Sequence, residues 1–213
     1  MIPHATRARL LRAATAAALV GALSGCAALS TLSSASEPLA TYALTPLPGA
    51  AGPVAGGRHV VVEVPTGSGA IAGERFVVRP DRLQVTVLPG ARWVDPAPVM
   101  VQTLLVQSLQ ASGAFRLVGR SSTGLFPDVT LLTEMRAFQA EPGPEGGPVY
   151  RVRVGFTMTL IREADGAILR ARTFEATAAA GSAAPSAVAA AFEAAMTAVL
   201  REAVPWVAGA SGA

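Results

Sequence analysis

The sequence predicts an α+β fold: a single domain in which an antiparallel-rich β-sheet carries two helices packed on one face. Two observations predict this class. Residues 128–138 and 150–161 alternate apolar and polar side chains with period two, which is typical of strands with one covered and one wet face. Residues 96–112 and 185–204 instead repeat their apolar side chains at helical spacing.

Shorter strands are predicted wherever β-branched and apolar residues lie between turn residues. These segments are 41–44, 59–65, 75–79, 82–88 and 115–118, with Pro80-Asp81 separating the third from the fourth. The glycine-rich turn at 66–69 lacks the lysine and the following helix of a phosphate-binding loop. We therefore interpret it as a connection between strands.

The two longer strands flank a Pro/Gly-rich loop at 141–148. Asp165-Gly166 predicts a type I′ hairpin turn, so residues 167–178 are expected to pair antiparallel with 150–161. The side chains predicted to face the core from 150–161 are Tyr150, Val152, Val154, Phe156, Met158 and Leu160.

Each helix has recognisable ends. Asp95 is predicted to be the N-cap of the first helix, with Pro96 at its first position and Gly113 at its end. The second helix is predicted to stop at Pro205. It is not predicted to cross a membrane, because its apolar stretch is interrupted by charges at Glu193, Arg201 and Glu202.

The amino-terminal 25 residues have the organisation of a secretory signal peptide, which is cleaved from the mature protein. Arg7, Arg9 and Arg12 precede an apolar run at 13–23. That run of about 11 residues is too short to span a bilayer, which takes roughly 20.

The run ends in Leu23-Ser24-Gly25-Cys26, which matches a bacterial lipobox at all four positions. In that pattern the signal is cleaved before the cysteine, whose sulfur carries diacylglycerol and whose new amino terminus is acylated. Cys26, the only cysteine of the chain, is therefore the predicted lipidation site and membrane anchor. The next residue is Ala27 and not aspartate, which by analogy with enteric bacteria favours the outer membrane; retention in the inner membrane stays open.

Composition predicts the boundaries of the mature domain and its net charge. Residues 26–39 are small and polar and predict a lipidated, flexible tether; the folded domain is expected at 40–207 and a disordered tail at 208–213. Three of the 17 basic residues leave with the signal peptide, so the mature chain has 14 basic and 14 acidic residues. A neutral mature chain gives no support for nucleic-acid binding.

No catalytic constellation is apparent, and the sequence predicts a protein that is not an enzyme. His59 is the one histidine after residue 25, which excludes the usual His/Cys metal spacings and Cys–His catalysis. We expect no cofactor and no metal. Clustered carboxylates in a deep pocket would instead favour a hydrolase.

Four residues are candidates for contact with a partner. Trp93 is either a core residue ahead of the first helix or an exposed binding side chain. Arg75, Arg79 and Arg82 form either a solvated strand face or a contact for an acidic partner or lipid headgroups.

Taken in order, these features resemble the ABC-type transport auxiliary lipoproteins over residues 40–205. The resemblance rests on Cys26, Tyr42-Ala43-Leu44, the strand ending at Pro65, the arginine-containing strands 76–79 and 82–88, and Trp93 before the helix 99–112. Ser112-Gly113-Ala114-Phe115, the hairpin and the terminal Ala-rich helix also fit, whereas the glycine-rich loop 67–73 departs from the pattern.

The resemblance implies an outer-membrane-anchored, periplasm-facing auxiliary component of a lipid-transport system. Its partners would be a mammalian-cell-entry (MCE) domain protein and an ABC transporter permease and ATPase. The resemblance is also compatible with a homo-oligomeric ring. The alternative from a different class is a tethered lipoprotein that regulates a cell-wall enzyme. A tether of about 13 residues is short for that role, because such regulators have to cross the peptidoglycan.

Overall fold

A computed structural model describes residues 39–49, 57–67, 69–121, 126–145, 147 and 149–210. The predictions for the signal peptide, for Cys26 and for the tether before residue 39 lie outside these residues. The described part is a compact unit that begins at Ala40. Among the described residues, two α-helices and one mixed sheet of eight strands form an α+β fold, which confirms the predicted class.

The three longest strands form an antiparallel meander. They are β6 (Val129–Pro142), β7 (Tyr150–Arg162) and β8 (Ile168–Ala180), with β7 in the middle. The predicted inward side chains of β7 are fully buried, with Tyr150 partly buried at the strand's start: Val152, Val154, Phe156, Met158 and Leu160. The alternation in the sequence therefore identified the covered face correctly.

The turn between β7 and β8 differs from the predicted type. A type I′ turn needs positive φ at both central residues, but Gly166 (φ 68°) is the only residue of this turn with positive φ. The amide of Gly166 donates to the carbonyl of Arg162 at 2.9 Å. The amide of Arg162 donates to the carbonyl of Ala167, also at 2.9 Å. The hairpin is confirmed, but its loop is the longer 163–166 segment.

β6 contains a bulge and continues beyond its predicted end at residue 138. The pairing with β7 shifts between Met135 and Ala137. Met135 faces the core before the bulge, and Phe138 and Ala140 face it afterwards. Because the extra residue reverses the period-two pattern, the alternation in the sequence could not follow the strand to Pro142.

The other side of β6 divides between two groups of strands. β2 (His59–Val62) lies parallel to the amino-terminal half of β6, and β5 (Leu117–Arg120) lies parallel to β2. β3 (Arg75–Val78) lies parallel to the carboxyl-terminal end, with Val78 opposite Ala140. β4 (Thr86–Trp93) continues antiparallel to β3, and β1 (Ala40–Tyr42) lies parallel to β4.

The boundaries of β4 differ from the predicted strand 82–88. Asp81 accepts hydrogen bonds from the amides of Leu83 and Gln84, which holds the chain in a turn until Thr86. The strand then continues to Trp93 through Gly90, whose φ of 74° is accessible to glycine at little cost.

The first helix, α1 (Ala97–Ala111), begins one residue later than predicted. Pro96 occupies the N-cap position with φ −51° and ψ 135°, and no side chain caps the helix. The prediction of Asp95 as N-cap is therefore wrong. Gly113, with φ 65°, lies just beyond the helix end, as predicted.

The second helix, α2 (Pro185–Ala210), continues past Pro205 and into the predicted tail at 208–213. The prediction that Pro205 ends the helix is wrong, because the residues after Pro205 pack against the core. Trp206 makes an edge-on contact with Phe174, and Val207 is completely buried. In the described part of the chain, no helix combines the length and the apolar character needed to cross a membrane.

Both helices bury their apolar side chains in one core cluster with the inner face of the sheet. The first packs on β2 and β5, and the second packs on β4, β7 and β8. The opposite face of the sheet carries the polar strand positions and the clefts described next.

Candidate functional site

Trp93 belongs to the core. Its side chain is 1% exposed, stacks on Phe76 with ring centres 3.9 Å apart, and meets Phe192 edge-on at 5.1 Å. A side chain enclosed in this way has no surface to offer a partner. The alternative of Trp93 as a partner contact is therefore corrected, and its role as a core residue ahead of α1 stands.

Two of the three predicted arginines lie together at one end of the sheet. Arg79 and Arg82 line a cleft of about 590 Å³, which we call the arginine cleft. The rest of its lining is Pro80, Asp81, Glu141, Pro142 and Arg153. The cleft lies beside the turn that joins β3 to β4, next to the carboxyl-terminal end of β6.

Hydrogen bonds give this turn a defined shape. The Arg79 guanidinium donates to the carbonyl of Arg82 at 3.0 Å. The Asp81 carboxylate accepts the amide of Leu83 at 2.7 Å and that of Gln84 at 2.8 Å. These two backbone hydrogen bonds, with help from the nearby charge of Arg79, lower the pKa of Asp81 below its ordinary value.

Arg153 is the member of the cleft that we did not single out from the sequence. It pairs with Glu141 at 2.8 Å and lies 3.9 Å from Glu175, and its Nε is buried without a hydrogen-bond partner in the described structure. The signal was present in the alternation of residues 150–161, which places Arg153 on the outer face. The pairing of β3 with β6, which brings Arg79 beside it, had no sequence signal.

Arg75 does not reach the arginine cleft. It lies at the other end of β3, where it pairs across the sheet with Arg92 of β4. The four candidate partner residues are therefore dispersed: one is in the core, two are at the cleft and one is at the far end of a strand.

A second concave surface lies on the outer face where β2 diverges from β6. This threonine groove has a volume of about 490 Å³ and is lined by Glu63, Val64, Thr66, Leu132, Thr133, Glu134, Thr157 and Thr159. Val64 and Leu132 are 48% and 39% exposed. The groove therefore combines two partly exposed apolar side chains with a rim of hydroxyl and carboxylate groups.

Backbone hydrogen bonds hold the two sides of the groove together. The amide of Thr66 donates to the carbonyl of Thr133 at 2.9 Å, and the amide of Met135 donates to the carbonyl of Thr66 at 2.7 Å. These bonds fix the segment after β2 against β6, so the groove is preformed.

His59 lies at the start of a strand. It begins β2, and its backbone amide donates to the carboxylate of Asp128 at 2.7 Å. Across the described residues, no three His, Cys, Asp or Glu side chains come close enough together to hold a metal ion.

Comparison with known proteins places the chain in a family. The model of the ABC-type transport auxiliary lipoprotein component matches residues 42–204, which is most of the sequence. No protein of curated function matches the chain.

Solved structures of similar fold cover about four fifths of the chain. A crystallised protein from Xanthomonas campestris is 26% identical, with a TM-score of 0.71; the match covers 82% of this chain and 97% of that protein. A second crystallised protein, uncharacterised, is 17% identical with a TM-score of 0.60, and the match covers 80% of this chain and 99% of that one. The second similarity concerns the fold alone. On the family match over residues 42–204, the chain belongs to the ABC-type transport auxiliary lipoprotein components.

Proposed function

We propose that this protein is a non-catalytic docking subunit of an MCE-type lipid-transport system, held by Cys26 in the outer membrane and facing the periplasm. The observation that carries the proposal is the family match over residues 42–204. The lipobox at Leu23-Ser24-Gly25-Cys26 supports the anchor, because three acyl chains on one residue would hold the protein durably in a bilayer.

The proposed partners are an MCE-domain protein and, through it, the permease and ATPase of an ABC transporter. The threonine groove is the proposed docking surface. It offers preformed apolar contacts at Val64 and Leu132 with polar groups around them, which is the general anatomy of a protein interface. Several copies of this chain would surround the MCE-domain protein as a ring.

Site-specific photo-crosslinking in cells tests this proposal. A photoreactive phenylalanine replaces Leu132 in the groove, and a matched control carries it at Ile168, which is 67% exposed and starts β8. We expect the MCE-domain protein to be captured from position 132 and not from 168. We also expect the Cys26→Ala variant to lose this product, because it lacks the anchor.

Other products of the same experiment discriminate the alternatives. If the photoreactive residue at position 132 crosslinks to a peptidoglycan synthase or hydrolase, the transport proposal is wrong and the protein is a regulator of a cell-wall enzyme. Adducts between copies of this chain in a regular ladder would support the ring. Equal capture from 132 and 168 would remove the groove as the docking surface.

A further inference from the structure

We propose that the turn between β3 and β4 docks on the anionic phospholipid surface in which Cys26 is anchored. Residues 79–87, which we call the docking tip, would place an apolar side chain among the lipids and arginines against their phosphates. This inference rests on the lipid anchoring proposed above and adds a second, reversible contact between the domain and the membrane.

The docking tip exposes apolar side chains that the fold does not use. Leu83 is 94% exposed, Val85 is 51% exposed and Val87 is 41% exposed. The hydrogen bonds of Asp81 hold Leu83 in the turn in this outward position, so little further ordering is needed when it contacts another surface. A projecting leucine on a rigid turn suits shallow burial at the boundary between headgroups and acyl chains.

Cationic groups adjoin this apolar tip. Arg79, Arg82 and Arg153 line the arginine cleft directly beside it. The carboxylates at the cleft are already engaged: Asp81 accepts two backbone amides, and Glu141 accepts Arg153 and the side-chain amide of Gln139. Arg79 uses one donor on the carbonyl of Arg82, but within the described residues neither Arg79 nor Arg82 forms an ion pair with a carboxylate. Their remaining N–H groups can therefore meet phosphate, and the cleft of about 590 Å³ has room for a headgroup.

The direction of the chain brings this end of the domain to the membrane. β1 lies parallel to β4, with Ala40 opposite Ala91, so the start of β1 points towards the end of the sheet that carries the docking tip. Ala91 lies five residues along β4 from Thr86 at that end, a distance of about 17 Å. The predicted tether has a root-mean-square span of roughly 20 Å, which keeps the tip within reach of the bilayer.

A bilayer suits this surface better than a second copy of the chain. The docking tip exposes Leu83 to 94% and carries arginines beside it, so a symmetric contact between two tips would bring like charges together. The opposite end of the sheet, at the β7–β8 turn, also carries an exposed apolar residue, Ile168, which is 67% exposed. This residue provides a matched control, because the topology directs it away from the tethered end.

The test uses the mature lipidated protein reconstituted in vesicles. The sulfur of Cys26 is consumed by diacylglycerol, so Leu83→Cys or Ile168→Cys introduces a unique free thiol for a polarity-sensitive fluorophore. Vesicles containing phosphatidylglycerol are compared with vesicles of phosphatidylcholine alone. We expect a blue shift and quenching by nitroxide-labelled lipids at position 83 in phosphatidylglycerol, with neither at position 168.

Charge variants check the arginine contribution. With the fluorophore at position 83, Arg79→Gln and Arg82→Gln are each expected to lower the docking equilibrium constant about fivefold. Arg170→Gln, at an exposed position of β8, is expected to leave it unchanged.

Intact-protein mass separates the two proposals. If the lipid mass is present but positions 83 and 168 give the same spectra, the docking proposal is wrong while the anchor stands. If the lipid mass is absent and the fluorophore also labels Cys26, the anchor is wrong and membrane docking falls with it. Crosslinking between copies through the thiol at position 83, together with equal spectra in the two kinds of vesicle, assigns the tip to another copy of this chain and overturns membrane docking.

Discussion

Trp93 lies where three parts of the fold meet. Its indole contacts Phe76 of β3, Phe138 of β6 and Phe192 of α2, with ring centres between 3.9 and 5.5 Å apart. Such aromatic pairs add to the free energy gained by removing their apolar area from water. From the sequence alone this tryptophan could equally have been an interface residue, and its neighbours in space decide that it is not.

This position makes Trp93→Ala a severe change. We expect the free energy of unfolding to fall by about 3–5 kcal/mol, because a large side chain is lost from a core that cannot collapse around the cavity. Urea unfolding measures the loss. Val94→Ala, at a side chain that is 49% exposed, is the control and is expected to change stability by less than about 0.5 kcal/mol. A loss for Trp93→Ala as small as that of the control would contradict its placement in the core.

Among the elements, α2 shows how tertiary contacts extend a helix beyond a proline. Pro205 has no amide hydrogen, so the helix lacks one internal hydrogen bond, and a proline inside a helix costs about 3 kcal/mol. Burial of Val207 and the contact of Trp206 with Phe174 offset that cost. The last turn of α2 therefore belongs to the core.

Val207→Ala tests the last turn directly. We expect a loss of about 2 kcal/mol, which is the contribution of a fully buried valine. Arg201→Ala, at an exposed position one and a half turns earlier, is the matched control in thermal or urea unfolding. An unchanged midpoint for Val207→Ala would mean that the helix ends at Pro205 after all.

At the scale of the whole molecule, one core joins both helices to the sheet. Trp93 reports on its centre and Trp206 on the end of α2, and the chain has no other tryptophan. We expect tryptophan fluorescence of Trp206→Phe and of Trp93→Phe each to change at the same denaturant concentration as the far-ultraviolet ellipticity of that variant. Separate midpoints within one variant would show that α2 and the centre of the sheet unfold independently.

The candidate surfaces followed only partly from the sequence. Arg75, Arg79 and Arg82 are predicted together as a strand face or a partner contact, and the structure brings only Arg79 and Arg82 to one cleft. Arg153 was missed because it is 71 residues from Arg82 and becomes its neighbour only through the parallel pairing of β3 with β6. The threonine groove was missed for the same reason, since its two sides come from strands separated by 60 residues or more.

Local patterns in the chain were sufficient for the α+β class and for the inward face of β7, and they also predict the secretion signal and the lipidation motif, because each depends on residues close together in sequence. The tertiary structure decided the parallel pairings, the β6 bulge, the continuation of α2 past Pro205 and the burial of Trp93. Each of these depends on packing between distant segments, whose free energy outweighs local preferences and leaves no periodic trace in the chain.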